Sequence, residues 1–216
     1  MQPEIHLGPI TLQTFGIMFA LGFIAAGVVI AKRLKEWGKP PDWAYEMVFA
    51  ALLGGVVGGA AAVLAWGWRR GFFGLALLDF AAPLIALGYA VGRVGCKLSG
   101  DGDYGEPSDL PWAMAYPDGT EPIDVEVHPT PIYETLAMGL IALALWRLRD
   151  RLRPGLVFAL WLLLSGLERL LVEFIRRNDT VAIGLTWPQL VSVAMMGAGV
   201  IWLVRARQVG DSSKFP

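Results

Sequence analysis

One cysteine, Cys96, and two histidines, His6 and His128, stand among 216 residues. An internal disulfide is therefore excluded, and a metal centre built on Cys and His has almost nothing to draw on. Charge is scarce as well: Asp, Glu, Lys and Arg make up 17% of the chain, and the net charge is −1. That balance carries no basic footprint for nucleic acid. No internal repeat or low-complexity tract is present, and the short polar start, Met1 to Pro9, lacks the basic region of a signal peptide. Between Lys97 and His128 there is not one Lys or Arg.

What the chain does have is apolar length. It is 55% hydrophobic, with 26 Gly, nine Trp and a mean hydropathy of +0.52. Apolar runs approaching twenty residues recur, which predicts an all-α integral membrane protein. About six spans are expected, over roughly 10–31, 43–66, 75–98, 131–148, 156–175 and 186–204. They would form a single polytopic domain over residues 1–216, with 100–127 as a long acidic extracytoplasmic loop. Gly54-Gly55 and Gly58-Gly59 suit close helix packing in lipid. Asp42 and Thr130 are candidate helix caps, and Pro131 suits a first helical turn.

Basic residues near span ends set orientation. Six spans put Arg69, Arg70, Arg147 to Arg153, Arg205 and Arg207 on one side, which is then cytoplasmic along with both termini. Lys32 to Lys39 contradict that arrangement.

The chain is organised around Gly92 to Gly105, Gly-Arg-Val-Gly-Cys-Lys-Leu-Ser-Gly-Asp-Gly-Asp-Tyr-Gly. Here an apolar helix ends in Arg93, Lys97, Asp101 and Asp103, with glycines that let the backbone come close to a ligand. A snorkelling Arg before a plain turn would account for Arg93 alone, but not for two carboxylates and Tyr104. Arg169 lies as far into its own span as Arg93 does, about 21 Å at 1.5 Å per residue. Arg169, Glu173 and Arg176 fall at i, i+4 and i+7, one helical face. Such a ladder could simply hold helices together. Two arginines at one depth beside a glycine-rich turn also suit a phosphate. His128, the only histidine near the motif, is a candidate base or an orienting residue, and Cys96 reads as a small buried side chain.

Four passages resemble the bacterial prolipoprotein diacylglyceryl transferase family: Asp79 to Leu84 leading into Gly92-Arg93-Val94-Gly95; Pro111 to Met114; His128-Pro129-Thr130-Pro131-Ile132-Tyr133-Glu134; and Glu168 to Arg176. Gln189 to Ser192 looks like the family's closing helix. The resemblance implies seven spans with the amino terminus outside, and a reaction on phosphatidylglycerol with a lipoprotein precursor's cysteine as acceptor. It also implies the bacterial cytoplasmic (inner) membrane, with no cofactor and no metal. By the same likeness Arg93, Arg169, His128 and Asp101 would be catalytic. Gly95, Ser99, Asp103, Tyr104, Tyr133, Glu134 and Glu173 would bind substrate. Departures are specific: Cys96, Lys97, Ser99 and Asp101 replace the family's Asn, Phe, Asn and Glu, and one residue is inserted before Tyr104. Phe15 stands for a Tyr, and Leu53 for a His, where the chain is shortened. A relative using another acceptor, or inactive, is the second reading. A small anion transporter is a third, but neither paired half-spans nor inverted symmetry is evident.

Overall fold

The structure, a computed structural model, describes residues 3–8, 10–181 and 184–212, with the side chains of 7, 10, 49–60 and 207–212 left aside. Leu53 and the glycine pairs 54–55 and 58–59 therefore lie outside the described side chains, as does Arg207.

The chain opens with a hairpin, β1 (Glu4–Leu7) and β2 (Ile10–Gln13), running into α1 (Thr14–Glu36). Then follow α2 (Trp43–Arg69) and α3 (Leu75–Ser99), and a second hairpin of β3 (Met114–Tyr116) and β4 (Ile123–Val127). The last helices are α4 (Thr130–Leu148), α5 (Leu156–Glu173) and α6 (Trp187–Ser212). Among the described residues α1, α3, α4 and the 187–206 part of α6 are long and apolar enough to cross a membrane. α5 has 18 residues, but Glu168, Arg169 and Glu173 lie within it. The protein is a helical membrane protein, as composition predicts.

The path differs from the expectation at α2. Trp66 Nε1 donates to Glu46 Oε2 at 2.8 Å, although the two are 20 residues apart. A straight helix would separate them by about 30 Å. The Trp43 and Trp66 rings meet edge to face at 5.6 Å, and Arg70 pairs with Glu46. The two ends of α2 therefore lie together, and 43–66 doubles back; its apolar length leaves open whether it spans once or re-enters. Asp42, offered as a cap, makes no side-chain cap bond.

α1 runs antiparallel to α3. A Cβ on Gly95 would stand 3.1 Å from Met18 near the start of α1, while Ile30 and Leu34 share a core with Leu77 and Phe80. At its other end α1 meets the α4–α5 turn, where Arg33 pairs with Asp150 and Glu36 with Arg149 at 3.2 Å. The Arg33 bond holds the Asp150 carboxyl below its usual range. The amino-terminal hairpin is thus on the side of residues 100–127, and Lys32 to Lys39 join Arg69, Arg70 and Arg147 to Arg153 on the other. The expectation of two termini on the basic side is corrected for the amino end, and the charge conflict disappears with it.

α5 is held at its start and along its length. Asp79 of α3 accepts N–H bonds from Gly155 and Phe158 (2.8 Å), satisfying donors that a helix start leaves open. A Cβ on Gly166 would sit 2.9 Å from Ser192 O, so α5 and α6 pack backbone to backbone there. Thr186 and Gln189 close α6 reciprocally: Thr186 N donates to Gln189 Oε1 at 3.0 Å, and Gln189 N to Thr186 Oγ1 at 3.3 Å.

The acidic segment is folded. Tyr104 stacks on Tyr116 at 4.5 Å, and both pack with Val127. Burial pushes the Tyr116 hydroxyl up to about 12, so it stays neutral, and raises Tyr104 in the same way.

Candidate active site

The end of α3, the start of α4 and the end of α5 bring three arginines around one carboxylate. Glu134 is fully buried just past the first turn of α4. Its Oε1 accepts from Tyr89 Oη (3.0 Å), Arg169 Nη1 (2.8 Å) and Arg176 Nη1 (3.2 Å), and its Oε2 pairs with Arg93 Nε at 3.0 Å. The equal depths inferred for Arg93 and Arg169 thus correspond to one shared partner. A buried carboxylate is stable only with such company, because desolvation otherwise outweighs any single attraction.

Asp103 completes the ring from the loop side. One of its oxygens pairs with Arg93 Nη1 and the other with Arg176 Nη2. Its side chain keeps 30% exposure, whereas Glu134 and Glu173 have none. Glu173 Oε2 lies 3.1 Å from Arg169 Nη2. Its Oε1 accepts from Asn178 Nδ2 (2.6 Å) and Thr186 Oγ1 (2.8 Å), so Glu173 ties Arg169 to the start of α6. Glu168 is buried beside this group and makes no ion pair among the described residues.

Backbone pairing sets the register. Gly105 N donates to His128 O (2.9 Å) and Glu106 N to Ile175 O (2.8 Å), so the strand-like 105–107 stretch links β4 to the end of α5. A Cβ at Gly105 would lie 2.9 Å from His128 Cβ and 3.1 Å from Thr130 Cγ2, which only glycine avoids. Thr130, expected to cap α4 from outside, is instead the helix's first residue, and its hydroxyl donates to Asp103 O.

The other expected residues divide. His128 Nδ1 is 3.4 Å from Tyr133 Oη, which also accepts from Trp112 Nε1 at 2.7 Å. These three form a group of their own, joined to the loop that carries Asp103 by the Gly105–His128 pairing. Asp101 stands by the Cys96 thiol, and its Oδ1 accepts from Asp103 N at 3.3 Å, so it shapes the turn. Gly95 lies against α1, Ser99 Oγ donates back to Gly95 O at 2.9 Å, and Tyr104 is in the loop's core. Cys96, Asp101 and Asp103 could group around a cation, but Asp103 is committed to two guanidinium groups.

Sequence reasoning left two participants out of the site. Arg176 was visible in the ladder with Arg169 and Glu173, yet α5 ends at Glu173, and the 105–107 pairing brings Arg176 back. Tyr89 sits one turn before Arg93, stacks under it at 4.8 Å and reaches Glu134. The i, i+4 spacing was the available signal.

The family model for prolipoprotein diacylglyceryl transferase matches residues 3–60 and 50–205. Its two pieces meet at 50–60, inside the helix that doubles back. A phosphatidylglycerol–prolipoprotein diacylglyceryl transferase of Pseudomonas fluorescens is 29% identical over 259 aligned positions, covering 97% of this chain and 95% of the relative. One of Chromohalobacter salexigens is 31% identical over 248, covering 94% and 91%. Both alignments are longer than the 216-residue chain, so these relatives carry residues that it lacks. On the extent and identity of these matches, the chain belongs to the prolipoprotein diacylglyceryl transferase family.

Proposed function

We propose that the chain transfers the diacylglyceryl group of phosphatidylglycerol to the cysteine thiol of a lipoprotein precursor, as a multi-pass enzyme of the bacterial cytoplasmic membrane. The names of its relatives support the reaction. The observation that carries the reading is the convergence of Arg93, Arg169 and Arg176 on Glu134 at the loop end of the helices. Guanidinium forks fixed in advance can stabilise charge that develops on a departing phosphate. In this mechanism the acceptor's S–H loses its proton to His128, and the sulfur attacks the glycerol carbon next to the phosphate. A C–S bond forms, the C–O bond breaks, and the phosphate oxygen keeps the electron pair beside the arginines. Tyr133 and Trp112 steady the His128 ring from one side.

His128→Gln is therefore expected to lower transfer by at least about tenfold with lipid affinity nearly intact. Asp101→Asn, a change in the turn, should cost less. Steady-state rates and headgroup binding for the two variants check this, and the reverse order moves the base to Asp101.

The helices α1, α3, α4, α5 and α6 would cross the bilayer, with the amino end outside and the carboxyl end inside. Loss of a pair of crossings near residues 50–60 would preserve the family's orientation, which loss of one would reverse. In intact cells a membrane-impermeant thiol reagent should label Ser108→Cys and His6→Cys but not Lys39→Cys. Labelling of Lys39→Cys alone would invert the topology.

Leu53, at the family's histidine position, favours a second reading in which the headgroup is bound but another acceptor is used. Complementation separates the two. A strain depleted of its own diacylglyceryl transferase should regain growth and lipid-modified lipoproteins; absence of both, with the protein present in the membrane, rejects the first reading.

A further inference from the structure

Every arginine in the cluster already has a carboxylate partner. Three guanidinium groups face three ion-paired carboxylates, those of Asp103, Glu134 and Glu173. Within these three forks no positive charge is left over for a phosphate, so a headgroup must displace an anion to reach them.

Only one of the three can leave at little cost. Glu134 and Glu173 have fully buried side chains and hold helices together. Asp103 faces outward with 30% exposure. Its backbone is fixed on both sides: Thr130 Oγ1 donates to its carbonyl, and Gly105 is paired to His128. Rotation of the side chain alone therefore frees Arg93 Nη1 and Arg176 Nη2, while both arginines keep Glu134 and Arg169 keeps Glu134 and Glu173. In the closed state Asp103 offers one oxygen to each arginine, the same two-point contact that two phosphate oxygens would make.

We propose that Asp103 is a displaceable anion that occupies the arginine pair in the empty enzyme, yields it to the phosphodiester headgroup and returns to expel the phosphate monoester product. The inference rests on the phosphate-clamp reading above. With Asp103 out, the arginines outnumber their carboxylate partners by one, which matches the single negative charge of a phosphodiester. Breaking the C–O bond converts that diester to a monoester, which carries nearly two negative charges at neutral pH. The surplus charge and the waiting carboxylate both favour release.

The test uses the full chain in uncharged detergent with two soluble probes. One is deacylated phosphatidylglycerol, a phosphodiester; the other is glycerol 1-phosphate, a monoester. The unmodified chain should bind the diester more tightly, and a monoester preference overturns the proposal whatever the variants do. Asp103→Asn should tighten glycerol 1-phosphate at least about tenfold, the low end of what a close charge pair contributes. It should lower kcat and KM together, as slow product release requires. Asp103→Glu should restore the weak product binding, which a purely structural role for the aspartate does not predict. Unchanged or weaker monoester binding in a folded Asp103→Asn protein overturns the proposal. Arg93→Lys separates the two levels. If it binds both probes as the unmodified chain does, the clamp itself fails. If it weakens both while Asp103→Asn tightens neither, the failure belongs to Asp103 alone.

Discussion

Arg93→Lys and Arg169→Lys are each expected to remain folded and membrane-inserted while losing transfer by at least about a hundredfold, the scale of removing one preorganised donor from a charge-stabilising site. Lysine keeps the charge but replaces a planar fork with a compact ammonium. Arg93 uses Nε for Glu134 and Nη1 for Asp103, and Arg169 uses Nη1 for Glu134 and Nη2 for Glu173. An ammonium on a flexible stem cannot keep both contacts and also present a donor to phosphate. If the arginines merely fasten helices, Arg169→Lys should be tolerated, and Arg169→Ala should reduce expression and thermal stability. Melting temperature and headgroup binding, measured on the same preparations, decide between the two.

Removing Glu134 should have the larger effect on stability. Its carboxylate serves Tyr89, Arg93, Arg169 and Arg176 from a fully buried position. Glu134→Ala leaves three guanidinium groups short of a partner, a change that costs about 3–5 kcal/mol even for one broken buried pair. Little folded protein is expected from Glu134→Ala. Glu134→Gln keeps the shape but turns an amide toward cations, so it should fold with a clearly lowered melting temperature. A Glu134→Ala protein that melts like the unmodified chain would show that the cluster is held by something else.

Much of this site is legible in the amino-acid sequence. Arg93 and Arg169 can be set at one depth by counting residues along two apolar runs, and the i, i+4, i+7 ladder points to Arg176. Glu134 is marked only by the family resemblance of the passage His128 to Glu134. Pairing across the chain cannot be read in the same way. The resemblance makes Asp101 catalytic and Asp103 a substrate ligand, but it does not say which carboxylate meets the arginines; that is decided where Gly105 pairs with His128 and Thr130 holds the Asp103 carbonyl. The same limit explains α2. Apolar length records the capacity to cross a bilayer and says nothing about the path taken. That path shows in the Glu46 contacts with Trp66 and Arg70, which are tertiary. The misplaced charge of Lys32 to Lys39 and the shortening beside Leu53 are the clues in the sequence that the chain's path changes here. The hairpins at 4–13 and 114–127 escape a helix-length reading because each is short and lies beside much longer apolar runs.

The most direct test of the reaction is the mass of the acceptor. The purified chain, phosphatidylglycerol and a lipoprotein-precursor peptide with one cysteine are incubated together. The peptide should gain a diacylglyceryl group in thioether linkage, with one glycerol phosphate released per adduct and none formed by Arg93→Lys. A folded, lipid-binding protein that leaves the cysteine unmodified, or an adduct that Arg93→Lys makes equally well, would contradict it.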